Sequence, residues 1–302
     1  MAGFLRILSQ LPLPLLRAIA LLVAWLLNLM PHTGLRWIVR VNLLLAMPQL
    51  SVQARHVLER DSVRSQCLTA LESIKCWGMP PAWSVAQIRQ VHGEEHLHTA
   101  LANPKGMIAI VPHLGTWEIM NAWLNQFGAP VIMYKPADHP QVDAFMLAAR
   151  ARLNATLVPT DERGVRAIFK TLKQGGFTII LPDHVPDSAG GIQAPFFGVD
   201  SLSSTLLSKL AQKTGCALVG LSCLRRDDGN GFDVYCDPMP ANLADPDLTV
   251  AVTALNQSMQ QMIERAPAQY IWGYRRFKKS PAWEGVYRWD EAKIRQQLGG
   301  TV

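Results

Sequence analysis

The residues with the clearest chemical potential are His113 and Glu118, which lie five positions apart directly after an apolar run. That run, Met107–Val111, carries no charge and predicts a buried strand. On a continuous helix, two residues five apart would point about 140° away from each other, so the pair can meet only if the chain turns between them. Pro112 and Gly115 favour such a turn.

This arrangement predicts an acid–base site. We expect Thr116 to cap the next helix, whose first turn would carry Glu118. His113 would then project from the strand end, and Glu118 could fold back to orient its imidazole. An imidazole with a pKa of roughly 6.5 is a usable general base at cellular pH. The alternative is a structural histidine at a strand end, satisfied by a nearby carboxylate.

The elements around this pair alternate between two types. Apolar runs predict four further strands, at 131–134, 177–181, 217–223 and 232–236. Helical periodicity predicts five helices, at 117–127, 140–154, 164–174, 203–214 and 247–265. Residues 31–100 are predicted to be mainly helical, with Ser51 as a cap. We therefore expect an α/β fold, with a mixed central sheet flanked by helices.

The overall composition narrows the class of partner. The net charge is +6 although only 17% of the 302 residues are charged, which suits anionic partners such as phospholipid headgroups, a phosphorylated glycolipid or an acidic carrier protein. The sequence contains no arginine-rich tract of the kind that would indicate a nucleic-acid partner. The five cysteines show no C-x-x-C pair and no zinc-ligand spacing, so we expect reduced thiols and no metal centre.

The N-terminal segment is apolar. It predicts a hydrophobic helix, and we assign residues 1–30 to a membrane anchor and residues 31–302 to a single catalytic domain. The uncharged run Ala18–Leu27 is too short to cross a bilayer alone, which takes about 20 residues, and a longer span would have to contain Arg17. A spanning anchor, a helix lying in the interface and a buried core helix all remain open. Arg36 and Arg40 follow, which predicts a cytoplasmic position for the rest of the chain.

Several motifs together resemble one family. His113, Gly115, Trp117 and Glu118 form an H-x-G-x-W-E segment similar to the signature of the glycerolipid (lysophospholipid) acyltransferases, in the version of the late acyltransferases of lipid A biosynthesis, the lauroyl/myristoyl transferase group. Four other segments resemble blocks of the same family in the same order, at 42–48, 134–150, 182–198 and 267–278. The chain departs from the family pattern in having Lys135 for arginine and Tyr274 for histidine.

The resemblance implies an enzyme. Such a protein would transfer a fatty acyl chain from the thioester of an acyl carrier protein to a hydroxyl of a lipid A precursor, at the cytoplasmic face of the bacterial inner membrane, among membrane phospholipids and without a cofactor. It implies His113 as general base and Glu118 as its partner. The substrate-binding residues that it implies are Arg150, Asp183, Lys135, Arg275 and Arg276.

Other activities remain open at this level. The acceptor could be another membrane lipid, such as a lysophospholipid or an aminolipid, or His113 could activate water in an acyl thioesterase. A non-catalytic lipid-binding protein is a third alternative. Asp183, His184 and Asp187 lie close together in sequence as a metal site would require, but nothing else in the sequence completes a coordination set.

Overall fold

The computed structural model describes residues 2–30 and 34–299. Within them the α-helices are α1 (Ala2–Gln10), α2 (Leu13–Leu29), α3 (Gly34–Ala46), α4 (Val52–Gly78), α5 (Pro81–Val85), α6 (Glu94–Leu101), α7 (Glu118–Leu124), α8 (Pro140–Arg150), α9 (Glu162–Lys173), α10 (Leu206–Thr214), α11 (Leu248–Glu264) and α12 (Glu291–Gln297). The strands are β1 (Ile88–His92), β2 (Met107–Ile110), β3 (Val131–Tyr134), β4 (Thr156–Pro159), β5 (Phe177–Ile180), β6 (Gly191–Phe196), β7 (Val199–Ser204), β8 (Ala217–Arg225) and β9 (Phe232–Pro238).

The chain divides into two compact units. The first comprises residues up to 19, 69–181 and 210–239, and the second comprises 20–68, 182–209 and the residues from 240 onwards. The boundary predicted between an N-terminal anchor and the rest falls at residue 30, beside residues 31–33, which lie outside the described residues. The division into anchor and domain therefore stays a prediction.

The first unit is built on a seven-stranded sheet. Its strand order is β1-β9-β8-β2-β5-β3-β4, and all neighbours run parallel except the antiparallel pair β8 and β9. This confirms the predicted α/β fold with a mixed central sheet. β2 lies in the middle of the sheet and all of its residues are buried, which is why its sequence is an unbroken apolar run.

An apolar cluster lies at the centre of this sheet. Residues of β2, β5, β8 and β9 pack there with helices α6 and α7, among them Met107, Ala109, Ile119, Trp123, Val219 and Leu221. Because such interiors are packed as densely as organic crystals, the end of β2 is a rigid point of departure for the residues that follow it.

One predicted helix begins too early. The segment 203–214 was expected to be helical, but Ser203 and Ser204 end strand β7, which pairs with β6 in an antiparallel hairpin, and α10 begins only at Leu206. Phe197 and Gly198 both have positive φ, 50° and 74°, as a tight hairpin turn requires. The serines of β7 hid the apolar alternation that would have indicated a strand.

The N-terminal helices do not form a straight span. Of the described helices, none is by itself long and apolar enough to cross a membrane, whereas Gly3–Gln10 and Leu13–Leu29 meet the length and composition requirements only together and are bent by 116° relative to each other. In α2, Leu16, Ala20 and Ala24 are buried at one-turn spacing, so one stripe of this helix packs against protein.

Candidate active site

The turn after β2 depends on a glycine. Gly115 has φ of 65°, a left-handed conformation, and the next N–H, that of Thr116, donates to the carbonyl oxygen of Cys223 on β8 at 2.8 Å. A Cβ atom on Gly115 would lie 2.0 Å from that same oxygen. Only glycine fits here without moving β8, so the predicted turn is confirmed and its cause is a close backbone approach as well as φ.

The predicted cap on the next helix is wrong. α7 begins at Glu118, and Trp117 occupies the capping position with helical dihedrals and no side-chain cap. The Thr116 hydroxyl instead donates to Glu72 Oε2 at 2.7 Å. A buried carboxylate on α4, distant in sequence, is the stronger acceptor and takes the hydroxyl away from the helix end.

His113 lies half-buried just beyond the carboxyl end of β2, where ligands bind in open parallel sheets. Its ring packs edge-on against the Trp117 indole, with ring centroids 4.9 Å apart. This contact holds the imidazole at the mouth of the turn while leaving it partly accessible. The pairing of His113 with Glu118 stays a prediction.

Glu118 is held inside the site by a cation and an amide. Its side chain is 6% exposed, its Oε1 lies 3.5 Å from Arg150 Nη2, and its Oε2 accepts a hydrogen bond from Asn121 Nδ2 at 3.2 Å. Its place in the first turn of α7 favours a negative charge through the helix dipole. The structure thus brings Arg150, which the sequence assigned to substrate binding, to the same point as Glu118.

Arg150 ends α8 and is itself supported by an aromatic ring. Its guanidinium carbon lies 4.9 Å from the centroid of Tyr134, at the end of β3, and the Tyr134 hydroxyl donates to Asp143. Burial, together with that hydrogen bond, raises the pKa of Tyr134 to about 12, so the phenol stays neutral. The Nε of Arg150 is buried without a hydrogen-bond partner, which leaves the guanidinium a donor for a bound group.

A cleft opens onto this ion pair. Glu118 and Arg150 line it, and the rest of its wall is mainly apolar and comes from the end of α4, from α5 and from α7 and α8, including Cys76, Trp77, Met79, Pro81, Ala122 and Leu153. An apolar wall with a few convergent polar groups is the usual composition of a ligand site.

The other residues assigned to substrate binding fall into two groups. Lys135, directly after β3, and Arg275, in the second unit, are exposed, as headgroup contacts would be. Asp183 and Arg276, both in the second unit, are 0% and 1% exposed. A substrate role for either buried side chain would require the surrounding packing to open.

These two buried side chains have structural partners. Arg276 donates to the Leu202 carbonyl oxygen at 3.0 Å and to Ser203 Oγ at 2.7 Å. Burial, with a hydrogen bond to Asp183, raises the pKa of Tyr270 well above its usual value. The segment 267–278 forms successive turns and no strand. In this geometry Asp183 and Arg276 hold those turns in place.

Glu72 is a site residue that the sequence did not indicate. It lies within the long helix α4 and is buried, where it contacts Thr116, Arg17 and Arg225. The available signal was weak: the buried stripe of α4 includes polar residues at helical spacing, such as Ser65, Thr69 and Glu72. Across residues 2–30 and 34–299, no group of three or more His, Cys, Asp or Glu side chains is placed to hold a metal ion.

Comparison with known proteins identifies similar sequences in two lipid pathways. The chain is 28% identical to the lipid A biosynthesis lauroyltransferase of Escherichia coli (strain K12) over 253 residues, 82% of this chain and 80% of that protein. It is 27% identical to a lipid A biosynthesis acyltransferase of Haemophilus influenzae over 276 residues, 90% and 86% of the two chains. It is also 28% identical to a phosphatidylinositol mannoside acyltransferase of Mycobacterium tuberculosis over 190 residues, 60% and 58% of the two.

The match to a family as a whole is broader than any of these pairwise similarities. The model of the bacterial lipid A biosynthesis acyltransferases matches residues 1–279, which include every motif discussed above. The chain therefore belongs to the bacterial lipid A biosynthesis acyltransferase family, and it is an acyltransferase.

Proposed function

We propose that this protein transfers a fatty acyl chain from an acyl carrier protein thioester to a hydroxyl of a lipid A precursor, with His113 as general base. The observations that support the proposal are a half-buried His113 just beyond the carboxyl end of β2 and a buried Glu118 in the first turn of α7, whose Oε1 lies 3.5 Å from Arg150 Nη2. The names of the Escherichia coli and Haemophilus influenzae relatives favour the lipid A acceptor.

The proposed chemistry is direct transfer. His113 removes the proton of the acceptor hydroxyl as its oxygen attacks the thioester carbonyl, and Glu118 orients the ring and stabilises the imidazolium. The tetrahedral intermediate then expels the carrier thiolate, which takes the proton from the imidazolium. No acyl-enzyme forms, because the thioester is already activated, and the pKa of the Cys76 thiol in the cleft is raised by burial, away from a nucleophilic thiolate.

The turn limits the choice of oxyanion donor. The N–H of Thr116 is engaged by Cys223 and that of Leu114 by Pro112. We therefore assign the oxyanion to the Gly115 N–H, assisted by Arg150. Preorganised donors of this kind are worth several kcal/mol in acyl transfer, on the order of 10²–10³ in rate for one donor.

The donor is proposed to be an acidic carrier protein. Helix α9 carries basic residues along one exposed face, Arg163, Arg166, Lys170 and Lys173. Two of them pair with neighbouring acids at the beginning of the helix, Arg163 with Asp161 and Arg166 with Glu162. Complementary charge would steer the carrier to this helix.

The membrane position is proposed to be interfacial. The exposed side of α2 is apolar, with Leu22, Trp25 and Leu29 between 57% and 59% exposed. Arg17 of the same helix instead forms an ion pair within the protein, with its Nε 2.8 Å from Glu72 Oε1. A helix that keeps an ion pair with the protein on one side and an uncharged apolar stripe on the other suits a position in the plane of the interface.

The structure weakens the argument that Arg36 and Arg40 mark the cytoplasmic side of the membrane. Arg36 and Arg40 lie 2.5 Å and 2.9 Å from the oxygens of Glu59, which is buried, so they are part of an internal ion-pair network. The cytoplasmic face of the inner membrane remains our proposal on the family resemblance.

Mass spectrometry of lipid A tests this function. In cells that lack the protein we expect one secondary acyl chain to be missing, to return with the wild-type chain and to stay missing with Glu118→Ala. Glu264→Ala, at an exposed carboxylate at the end of α11, is the matched control and should restore the chain. Unchanged lipid A in the deletion strain would contradict the proposed acceptor.

One other acceptor has specific support. The Mycobacterium tuberculosis relative is named for a phosphatidylinositol mannoside, which is a different glycolipid. If lipid A is unchanged, purified protein with an acyl thioester and candidate acceptors separates the remaining alternatives. The acyl group of the thioester is labelled, and the lipid that takes up the label (a glycolipid, a lysophospholipid or an aminolipid) is the acceptor. Release of free labelled fatty acid without any acceptor would indicate a thioesterase.

A further inference from the structure

The carboxylate of Glu72 is a buried group of the first unit that accepts four side-chain hydrogen bonds. It is 1% exposed. It accepts hydrogen bonds from Arg17 Nε at 2.8 Å, from Arg225 Nε and Nη2 at 2.9 and 2.6 Å, and from the Thr116 hydroxyl at 2.7 Å. These donors come from α2, from the end of β8 and from the turn that carries His113.

This side chain is charged in its buried position. Burial by itself would raise the pKa of Glu72, but the hydrogen bond and charge of Arg225, with Arg17 and Thr116, outweigh it and hold the pKa below its usual value. A buried carboxylate is tolerated only with such complete pairing. Because its arginine partners fix its position, the carboxylate is a rigid acceptor for Thr116.

A second contact joins the same helix to the same turn. Thr69, one turn before Glu72 on α4, approaches the Gly115 carbonyl oxygen with its hydroxyl at 3.4 Å and accepts from Arg225 Nη2 at 3.1 Å. The turn is thus held by the backbone of β8 at Cys223 on one side and by α4 side chains on the other.

We propose that Glu72 is a positioning residue, which fixes the orientation of His113 and Glu118 by holding Thr116 between them. The proposal rests on the proposed acyl transfer, and it makes Glu72 part of that site although the carboxylate touches no substrate. Thr116 lies three residues after His113 and two before Glu118, so a shift of its backbone moves both. A displacement of about 1 Å in such groups costs on the order of 100-fold in rate.

The experiment removes one hydrogen bond and keeps the ion pairs. In Thr116→Val the hydroxyl is lost, in Thr116→Ser it is kept, and Glu72 retains both arginines in each. Thr178→Val is the matched control, because Thr178 is also fully buried and its hydroxyl donates at 2.6 Å to the Val131 carbonyl oxygen, away from the turn. Glu72→Gln is the direct variant, but it leaves two arginines with reduced compensation and can fail to fold.

Two measurements are made on these purified proteins. Hydrogen–deuterium exchange of a peptide covering residues 112–120 reports the order of the turn without any substrate. Steady-state kinetics with an acyl carrier protein thioester and a lipid A precursor report kcat and KM. For Thr116→Val we expect faster exchange in this peptide and at least a tenfold lower kcat with KM changed less than about twofold, because an orientation needed in the transition state is lost. Thr116→Ser and Thr178→Val should match wild type in the exchange of this peptide and in the kinetic constants.

Each result decides. Unchanged exchange in Thr116→Val would overturn the proposal, as would faster exchange with an unchanged kcat, or an equal effect in Thr178→Val. A wild-type protein that transfers no acyl group would contradict the proposed function alone, and the exchange of the turn would still show whether Glu72 holds it through Thr116.

Discussion

The substitution Gly115→Ala tests most directly how the chain positions its site. An alanine here meets two separate penalties: φ of 65°, and a Cβ placed 2.0 Å from the Cys223 carbonyl oxygen. Since Cβ atoms need at least 3.0 Å, either the turn or β8 must move by about 1 Å. Gly198 offers a matched control, because its φ is 74° and its Cβ would have nothing within 4 Å.

The magnitudes follow from these two positions. The left-handed conformation costs an alanine roughly 1–2 kcal/mol at either site. At Gly115 the enforced shift also breaks the bond from the Thr116 N–H to Cys223, which contributes roughly another 0.5–1.5 kcal/mol. The entropy that an alanine removes from the unfolded chain is the same in both variants and cancels. We expect Gly115→Ala to be the more destabilised by about 1 kcal/mol.

The assay combines stability with turnover. Urea unfolding followed by tryptophan fluorescence gives the two free energies of unfolding, and kcat is measured on the folded fraction. A 1 Å displacement of the turn should lower kcat on the order of 100-fold in Gly115→Ala, whereas Gly198→Ala should keep wild-type turnover. Equal destabilisation of the two variants, with normal kcat in Gly115→Ala, would refute the role given to the contact with Cys223.

Three further outcomes are expected. Glu118→Gln keeps the size of the side chain and loses its charge, so steady-state kinetics should show kcat reduced on the order of 10²-fold with KM little changed. A reduction of kcat and KM by the same factor would contradict the role assigned to Glu118. The pKa of Glu59 is lowered, since its two arginine partners outweigh burial; its ion pairs therefore stabilise the fold above the ordinary carboxyl pKa, and that stability is lost as pH falls below about 4.5. Glu59→Gln should accordingly flatten the acid side of the unfolding free energy measured against pH, and an unaltered curve would argue against this pairing. Trp25→Ser should weaken sedimentation with anionic phospholipid vesicles, whereas Leu147→Ser, at an exposed leucine of α8, should not; equal binding by both would count against the α2 interface.

Local sequence determined the part of the site that depends on nearest neighbours. β3 lies at 131–134 as predicted, and the strand at 107–111 was found because parallel strands covered on both faces are continuously apolar. The turn at Gly115 was equally visible, since a proline and a glycine between a strand and a helix leave few other conformations. The motif of His113 and Glu118, together with the four other segments in the same order, resembles the family in residue types and spacing.

Tertiary structure decided the partners. Thr116 has the side chain of a helix cap, yet it bonds to Glu72, 44 residues away, because that carboxylate is buried and fixed by two arginines. Arg150 meets Glu118 by the packing of α8, which no local pattern encodes. Arg276 looked like a cation for a headgroup and is instead buried, with two acceptors on β7.

The division has a physical reason. Strand and turn preferences act over a few residues, so the amino-acid sequence by itself determined that a buried strand precedes the site, where the chain reverses and which groups can do acid–base chemistry there. A polar side chain bonds to whichever partner burial brings within about 3 Å. That choice depends on segments far apart in the chain, so only the folded structure decided which charges support the turn, which lie open to a substrate and which hold the core together.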